Sequence, residues 1–416
     1  MKPRTLLVIG AGAAGFFCAV NAARLHPGWQ VILLEKSNKL LSKVRVSGGG
    51  RCNVTHACFQ LSDLLKFYPR GGAFLKKAFR HFSCADTVAW FSERGVELKT
   101  EPDGRMFPVT NDSQTIIDCL LREANTFGVQ VHMHADVQSL EALPGGGFRV
   151  HTGSGGVWLA DRVCVTVGGY PKPEQYHWLK ALGHSFVKPV PSLFTFNMPR
   201  QSLTSLMGIT VPDAQVRIKG TKWQQQGPVL ITHWGLSGPA VLKLSAWAAR
   251  DLAETNYHFN IQVNWLPGYH ENSMLQALQQ VRFTHASQKL VNRNPFQLPS
   301  RLWEFILAQS GISADIRWAD LPAKEQHKLA KALCAQEYPI SGKTTFKEEF
   351  VTAGGIPLSE IDPNTMQSRL CPGLYFAGEI MDVDGVTGGF NFQHAWTSGW
   401  IAAHQKNNEG QDLTAL

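Results

Sequence analysis

Apolar and polar positions alternate along this chain with two different periods, and the change of period marks its organisation. An unbroken apolar run at 5–10 reads as a buried strand, 13–25 as a helix and 30–35 as the next strand. That βαβ pitch predicts a parallel, doubly wound sheet. Helical spacing recurs at 74–82, 85–94 and 113–127, with a hairpin turn at 101–105 between them. Strands are expected at 129–132, 148–151, 157–159 and 161–167. After Pro171 prolines punctuate short β-like runs such as 193–197 and 215–219. Three helices follow, at 274–283, 299–308 and 323–334. From Thr345 the chain turns glycine-rich again and closes with a strand at 373–377 and a helix at 391–404. The reading is an α/β fold. One domain is assembled from residues 1–189 and 344–416, with a β-rich domain (190–270) and a small helical domain (271–343) inserted in it.

Length supports this, since 416 residues is enough for two or three domains. The net charge of +8 is unevenly placed: residues 346–416 carry three Lys or Arg against nine Asp or Glu, so the basic excess lies upstream. It suits an anionic cofactor, an anionic substrate or nucleic acid. Eight scattered cysteines without a C-x-x-C pair indicate free thiols in a reducing cytoplasm, and no metal-binding spacing occurs. Lys2 and Arg4 before the apolar run 6–20 mimic a signal peptide. The glycine spacing inside that run argues for a nucleotide-binding turn instead, and no membrane span is expected.

Three segments carry the chemistry. Gly10-Ala11-Gly12-Ala13-Ala14-Gly15 lies between strand and helix, and Glu35 stands twenty residues after Gly15. The first glycine makes the turn, the second admits a pyrophosphate and the third lets helix and strand close up. The phosphate rests on free N–H groups at the helix start, Ala14 among them. Glu35 and the adjacent Lys36 are placed for the adenosine ribose. The second segment, 373–393, decides between FAD and NAD. A strand ends at Gly378-Glu379, a glycine-rich loop runs to Gly389, and a helix starts at Phe390 and Asn391 with Gln393 in its first turn. An acid at a ribityl chain and a helix N-terminus at the pyrimidine edge are what FAD requires. The third segment is Ser47-Gly48-Gly49-Gly50-Arg51-Cys52-Asn53, a backbone able to lie against a planar or phosphorylated ligand. Arg51 is offered for phosphate, and Cys52 as a proton donor or an inert buried thiol. Gly168, at the end of the 161–167 strand, completes the cofactor set.

These segments, with Thr232-His233-Trp234-Gly235-Leu236-Ser237-Gly238-Pro239-Ala240 and Thr352-Ala353-Gly354-Gly355, resemble the BaiN/RdsA-type bacterial flavoproteins (YhiN-like) over nearly the whole chain. The resemblance implies a two-segment FAD domain of the glutathione-reductase type, non-covalent FAD, and NAD(P)H as a visiting hydride donor. Activities it implies are reduction of bile-acid intermediates, oxidation of small amines, and formation of dihydrouridine in ribosomal RNA. One stretch departs from the family: residues 170–176 are short and lack glycine. His233 is a candidate general acid, or else shapes a turn. Residues 36–80 hold ten cations against one acid, Asp63, with Phe67, Tyr68, Phe74, Phe79 and Phe82 interleaved, a composition suited to RNA. The expectation is therefore a reductase of an activated C=C bond, with ribosomal RNA as the favoured substrate. A small-molecule enone reductase, an amine oxidase and a nucleic-acid-binding or scaffold flavoprotein stand as alternatives.

Overall fold

A computed structural model describes residues 3–344 and 351–404. Lys2 and the opening of the glycine-rich C-terminal stretch at 345–350 lie outside the described residues. The chain divides into two compact units, residues 1–191 with 347–416, and residues 192–346.

The first unit is built on a five-stranded parallel sheet ordered 374–376, 162–165, 5–9, 30–34, 130–132. The central strand Thr5–Ile9 is buried along its whole length, which is why it reads as a continuous apolar run. Helix Ala13–Leu25 follows it at once, and helix Phe390–Ala403 of the second segment packs against that helix. Gly399 permits the close crossing: a Cβ there would lie 2.7 Å from the Ala14 carbonyl oxygen. Phe17 fills the remaining space against Trp396, with ring centroids 5.2 Å apart. The edge strand Leu374–Phe376 and this helix show why the two segments form one unit.

Two small antiparallel sheets decorate this unit, one of 55–56, 105–108 and 98–100, the other of 137–142, 148–152 and 157–160. Strands Val187–Ser192 and Val351–Gly355 pair with one another where the chain leaves and returns.

The second unit holds a seven-stranded antiparallel sheet ordered 336–341, 258–264, 210–218, 224–231, 235–237, 195–197, 343–344. Helices Glu271–Thr284, Ser300–Gln309 and Ala323–Cys334 share one hydrophobic core with this sheet, through Met274, Leu278, Trp303, Ile306, Leu329 and Leu333. Pro239 opens helix Pro239–Trp247 at its first position, where the missing N–H costs nothing.

Candidate functional site

The glycine turn after the first strand is shaped as its spacing implies. Gly10 has φ +107°, and a Cβ on it would lie 2.6 Å from the Thr166 carbonyl oxygen. Gly15 has no room either, since its Cβ would fall 1.9 Å from the Gly10 oxygen. Gly12 differs: nothing lies within 4 Å of a Cβ there. It is the N-cap of the first helix and no side chain caps that end. The helix N-terminus thus presents unshielded N–H groups, Ala14 near their centre, over open space, which suits a pyrophosphate.

Glu35 is fixed at the end of strand Gln30–Leu34. One carboxylate oxygen accepts from the Ala11 N–H at 3.1 Å, and the other accepts from the Ser37 N–H at 2.9 Å and its hydroxyl at 2.8 Å. A cavity of about 240 Å³ opens beside it, lined by Gly10, Glu35, Lys36, Asp136, Tyr170 and Trp178 among others. Tyr170 comes from the stretch that departs from the family pattern, which folds as a short turn at 173–176, and Trp178 from the helix His177–Lys180 that follows it. Burial pushes the Tyr170 phenol up to about 12, so it remains a neutral hydroxyl. Asp136, Tyr170 and Trp178 meet Glu35 only through the fold and carry no signal in their spacing.

The glycine-rich segments converge on the same unit. Gly48, Gly49, Gly50 and Cys52 all have positive φ, from 59° to 84°. Cβ atoms on Gly49, Gly50 or Gly168 would meet nothing within 4 Å. Glu379 accepts from the Thr352 N–H at 2.8 Å and pairs with Lys43 at 2.5 Å. The Thr352 hydroxyl is buried and has no hydrogen-bond partner among the described residues. Gly378 lies against Ala14, 2.9 Å from its Cβ to a built Cβ. Gly389 is the N-cap of helix Phe390–Ala403, and no side chain caps the N–H groups inside that end. Asn391 clamps that loop, accepting from the Gly385 N–H at 2.8 Å and donating to its carbonyl at 2.9 Å. Open cradles, two uncapped helix starts and an unpartnered hydroxyl fit a dinucleotide with a ring system attached.

Several expected residues, Gln393 and Arg51 among them, are engaged within the protein. Gln393 is fully buried, accepting from the Thr55 and Thr87 hydroxyls and donating to Thr397, so its amide holds the core rather than facing a cofactor. Phe390 packs in a three-ring cluster with Phe67, at 4.4 Å, and His56, at 4.8 Å. Arg51 pairs with Glu101 at 2.6 Å and covers the Phe107 ring at 4.0 Å. Cys52 is fully buried and its thiol is pushed up to about 12 by burial, which favours the inert-thiol reading. His233 is exposed in the second unit, in a hairpin turn closed by Thr232, whose N–H donates to the Gly235 carbonyl at 2.7 Å. In the basic stretch, Tyr68, Phe74, Phe79 and Phe82 are core residues and offer no stacking surface. Lys43, Arg51, Lys66 and Arg70 are ion-paired with Glu379, Glu101, Asp63 and Asp384, leaving Lys76, Lys77 and Arg80 among its exposed cations. Among the described residues no helix is long and apolar enough to cross a membrane, and no group of His, Cys, Asp and Glu is placed to hold a metal ion.

Residues 4–405 match the model of the HI0933-like protein Rossmann domain. The chain belongs to this HI0933-like family. It is an FAD-dependent oxidoreductase. Within the family it is 30% identical to the ribosomal RNA dihydrouridine synthase of Escherichia coli K12, over 98% of both chains. It is 26% identical to the 3-dehydro-bile acid delta(4,6)-reductase of Clostridium scindens, over 95% of this chain and 97% of that one. Among solved structures, the 3-ketosteroid-delta4-(5alpha)-dehydrogenase of Rhodococcus jostii RHA1 shares the fold, with a TM-score of 0.51 at 14% identity, over 97% of this chain and 100% of that one.

Proposed function

We propose that this HI0933-like flavoprotein is an NAD(P)H-fed reductase of a C=C bond conjugated to a carbonyl, and that its substrate is a uridine of ribosomal RNA, converted to dihydrouridine. The observation that carries this reading is the likeness, end to end, to a ribosomal RNA dihydrouridine synthase at 30% identity. A second reading, reduction of a small enone, draws on the likeness to a bile acid reductase. Both are one chemistry. Uracil C5=C6 is conjugated to the C4 carbonyl, so C6 accepts a hydride and C5 a proton.

Bound FAD supplies the hydride transfer. The chain's own residues bind and orient. Gly10, Gly12, Ala14 and Gly15 hold the pyrophosphate, with Glu35 and Lys36 at the ribose. Gly49, Gly50, Gly168, Gly378, Glu379, Gly389 and the Phe390 end of its helix hold the flavin half. Asn391 shapes the loop before that helix, and Arg51 and Cys52 the turn after the triple glycine. His233, exposed and carrying an imidazole, is the candidate proton donor. The second unit is an antiparallel sheet with helices and not a second dinucleotide fold, so the nicotinamide is assigned as a transient visitor.

Nucleoside mass spectrometry on ribosomal RNA from cells with and without the gene tests the substrate. Loss of dihydrouridine is expected on deletion, and an unchanged content overturns the RNA reading. Anaerobic mixing with NADH or NADPH tests the donor. Rapid bleaching of the flavin is expected, and bleaching by a small amine but by neither nicotinamide overturns the reductase reading in favour of an oxidase.

A further inference from the structure

The second unit carries a surface that the cofactor site does not use. Helix Glu271–Thr284 buries Met274 and Leu278, but Phe283, in its last turn, is 76% exposed, more than any other large hydrophobic side chain described. Its sequence context is basic. Residues 272–303 contain no Asp or Glu and carry Arg282, Lys289, Arg293 and Arg301. The fold adds Arg317, because segment 286–290 pairs with 316–319. Ala319 N–H donates to the Ala286 carbonyl and Trp318 N–H to that of Gln288, both at 3.0 Å, and Lys289 stands opposite Arg317 in a bridge. Arg282 ties the ribbon to the helix end, donating twice to the Ala319 carbonyl at 3.1 and 2.8 Å. Like charges set opposite each other on a ribbon repel. Asp315 relieves Lys289 at 2.7 Å, whereas Arg293 and Arg317 form no ion pair among the described residues.

We propose that Phe283, Arg293 and Arg317 form a contact site for single-stranded RNA, a base stacking on the ring and the backbone phosphates pairing with the two guanidinium groups; this rests on the ribosomal RNA reading above. An exposed ring can stack only on a base that is not already sandwiched in a helix, which selects an unpaired strand over a duplex. A second copy of this chain fits the surface less well. A two-fold interface would set the basic ribbon against itself.

The test uses the full-length protein loaded with FAD and a fluorescein-labelled, uridine-rich RNA single strand, followed by fluorescence anisotropy over a range of salt. Phe283→Ala weakens binding by about tenfold, the loss of one stacked base. Arg293→Gln with Arg317→Gln lowers the slope of log K against log salt by about 1.4, two phosphates at ~0.7 each. Flavin content is unchanged in every variant, since none of the three residues belongs to the cofactor unit. Wild-type binding that both sets of variants retain overturns this surface and leaves the RNA reading standing. Absence of wild-type binding to any RNA overturns both. A Phe283→Ala protein that binds RNA normally but sediments as a smaller species assigns the ring to self-association and overturns the proposal.

Discussion

Two glycines of one turn separate folding from binding. Gly12 has an extended backbone that any residue adopts, and its Cβ direction is empty. Gly12→Val should therefore fold with wild-type stability and lose FAD, because the new side chain occupies only the pyrophosphate position. Gly15→Ala should instead lose the fold or a large part of its stability, since the added methyl lands on the Gly10 carbonyl. Thermal unfolding together with the flavin spectrum after acid release tells the two outcomes apart. A folded, yellow Gly12→Val protein would remove the phosphate assignment. Cys52 makes a second case. A thiol pushed up to about 12 keeps its proton throughout the physiological range and gives it up reluctantly. Cys52→Ala should leave turnover within a few fold of wild type and should not move the pH profile. A loss of two orders of magnitude in kcat would restore the thiol as the acid. These roles differ in how far they could be read without coordinates. A glycine's job at a turn depends on its immediate neighbours and is visible in spacing. Arg51 looked free for phosphate because Glu101 and Phe107, which claim it, lie fifty and more residues away.

Helices and strands were legible wherever their period was long and clean. The first βαβ unit and helix Ser113–Thr126 are nearly where alternation put them. Helix Phe390–Ala403 has no such period. It is buried on almost every side, so it lacks an amphipathic stripe, and a polar residue such as Gln393 resembles a ligand contact when it is an internal strut between Thr55, Thr87 and Thr397. His394, the next residue, is a strut of the same kind. Its Nε2 lies 3.2 Å from the Gly378 carbonyl, and burial lowers its pKa from 6.5 to about 4. The folded pKa lies below the unfolded one, so the unfolded chain binds more protons between these values. The contribution of this group is fully present above pH 6.5 and disappears as pH falls toward 4. Its full span is about 3 kcal/mol. Burial lowers His26 and His404 in the same direction, so the check is a difference. Unfolding free energies at pH 7.5 and 5 are compared between wild type and His394→Gln. The variant should lose less stability on acidification, and equal losses would show that His394 is protonated in the native state.

At the scale of the whole molecule, the segments proposed to hold the cofactor come from both ends of the chain, and so does the core that supports them. Residues 1–191 and 347–416 share one parallel sheet, and the helix pair 13–25 and 390–403 brings the first glycine turn together with Gly378 and Glu379. The second unit has its own core, centred on Trp265, Trp303 and Trp318. Period and proline content change near where the chain leaves the first unit. That change does not convey that sheet and helices of the insertion share one core, because that depends on which apolar faces meet. The independence of the two cores leads to a deletion experiment. Strands Val187–Ser192 and Val351–Gly355 pair with one another, so residues 192–346 are to be replaced by a Gly/Ser linker of ~10 residues, whose mean span is about 17 Å. The joined protein should fold cooperatively and bind FAD, because every group assigned to the cofactor remains. It should lose reduction of the proposed RNA substrate, because the proposed proton donor His233 and the Phe283 surface go with the insertion. Flavin fluorescence quenching and the dihydrouridine content of ribosomal RNA after complementation measure the two halves separately. A deletion protein that folds but takes up no FAD would show that the second unit supplies part of the cofactor site. One that restores dihydrouridine would remove any role of the insertion in the reaction.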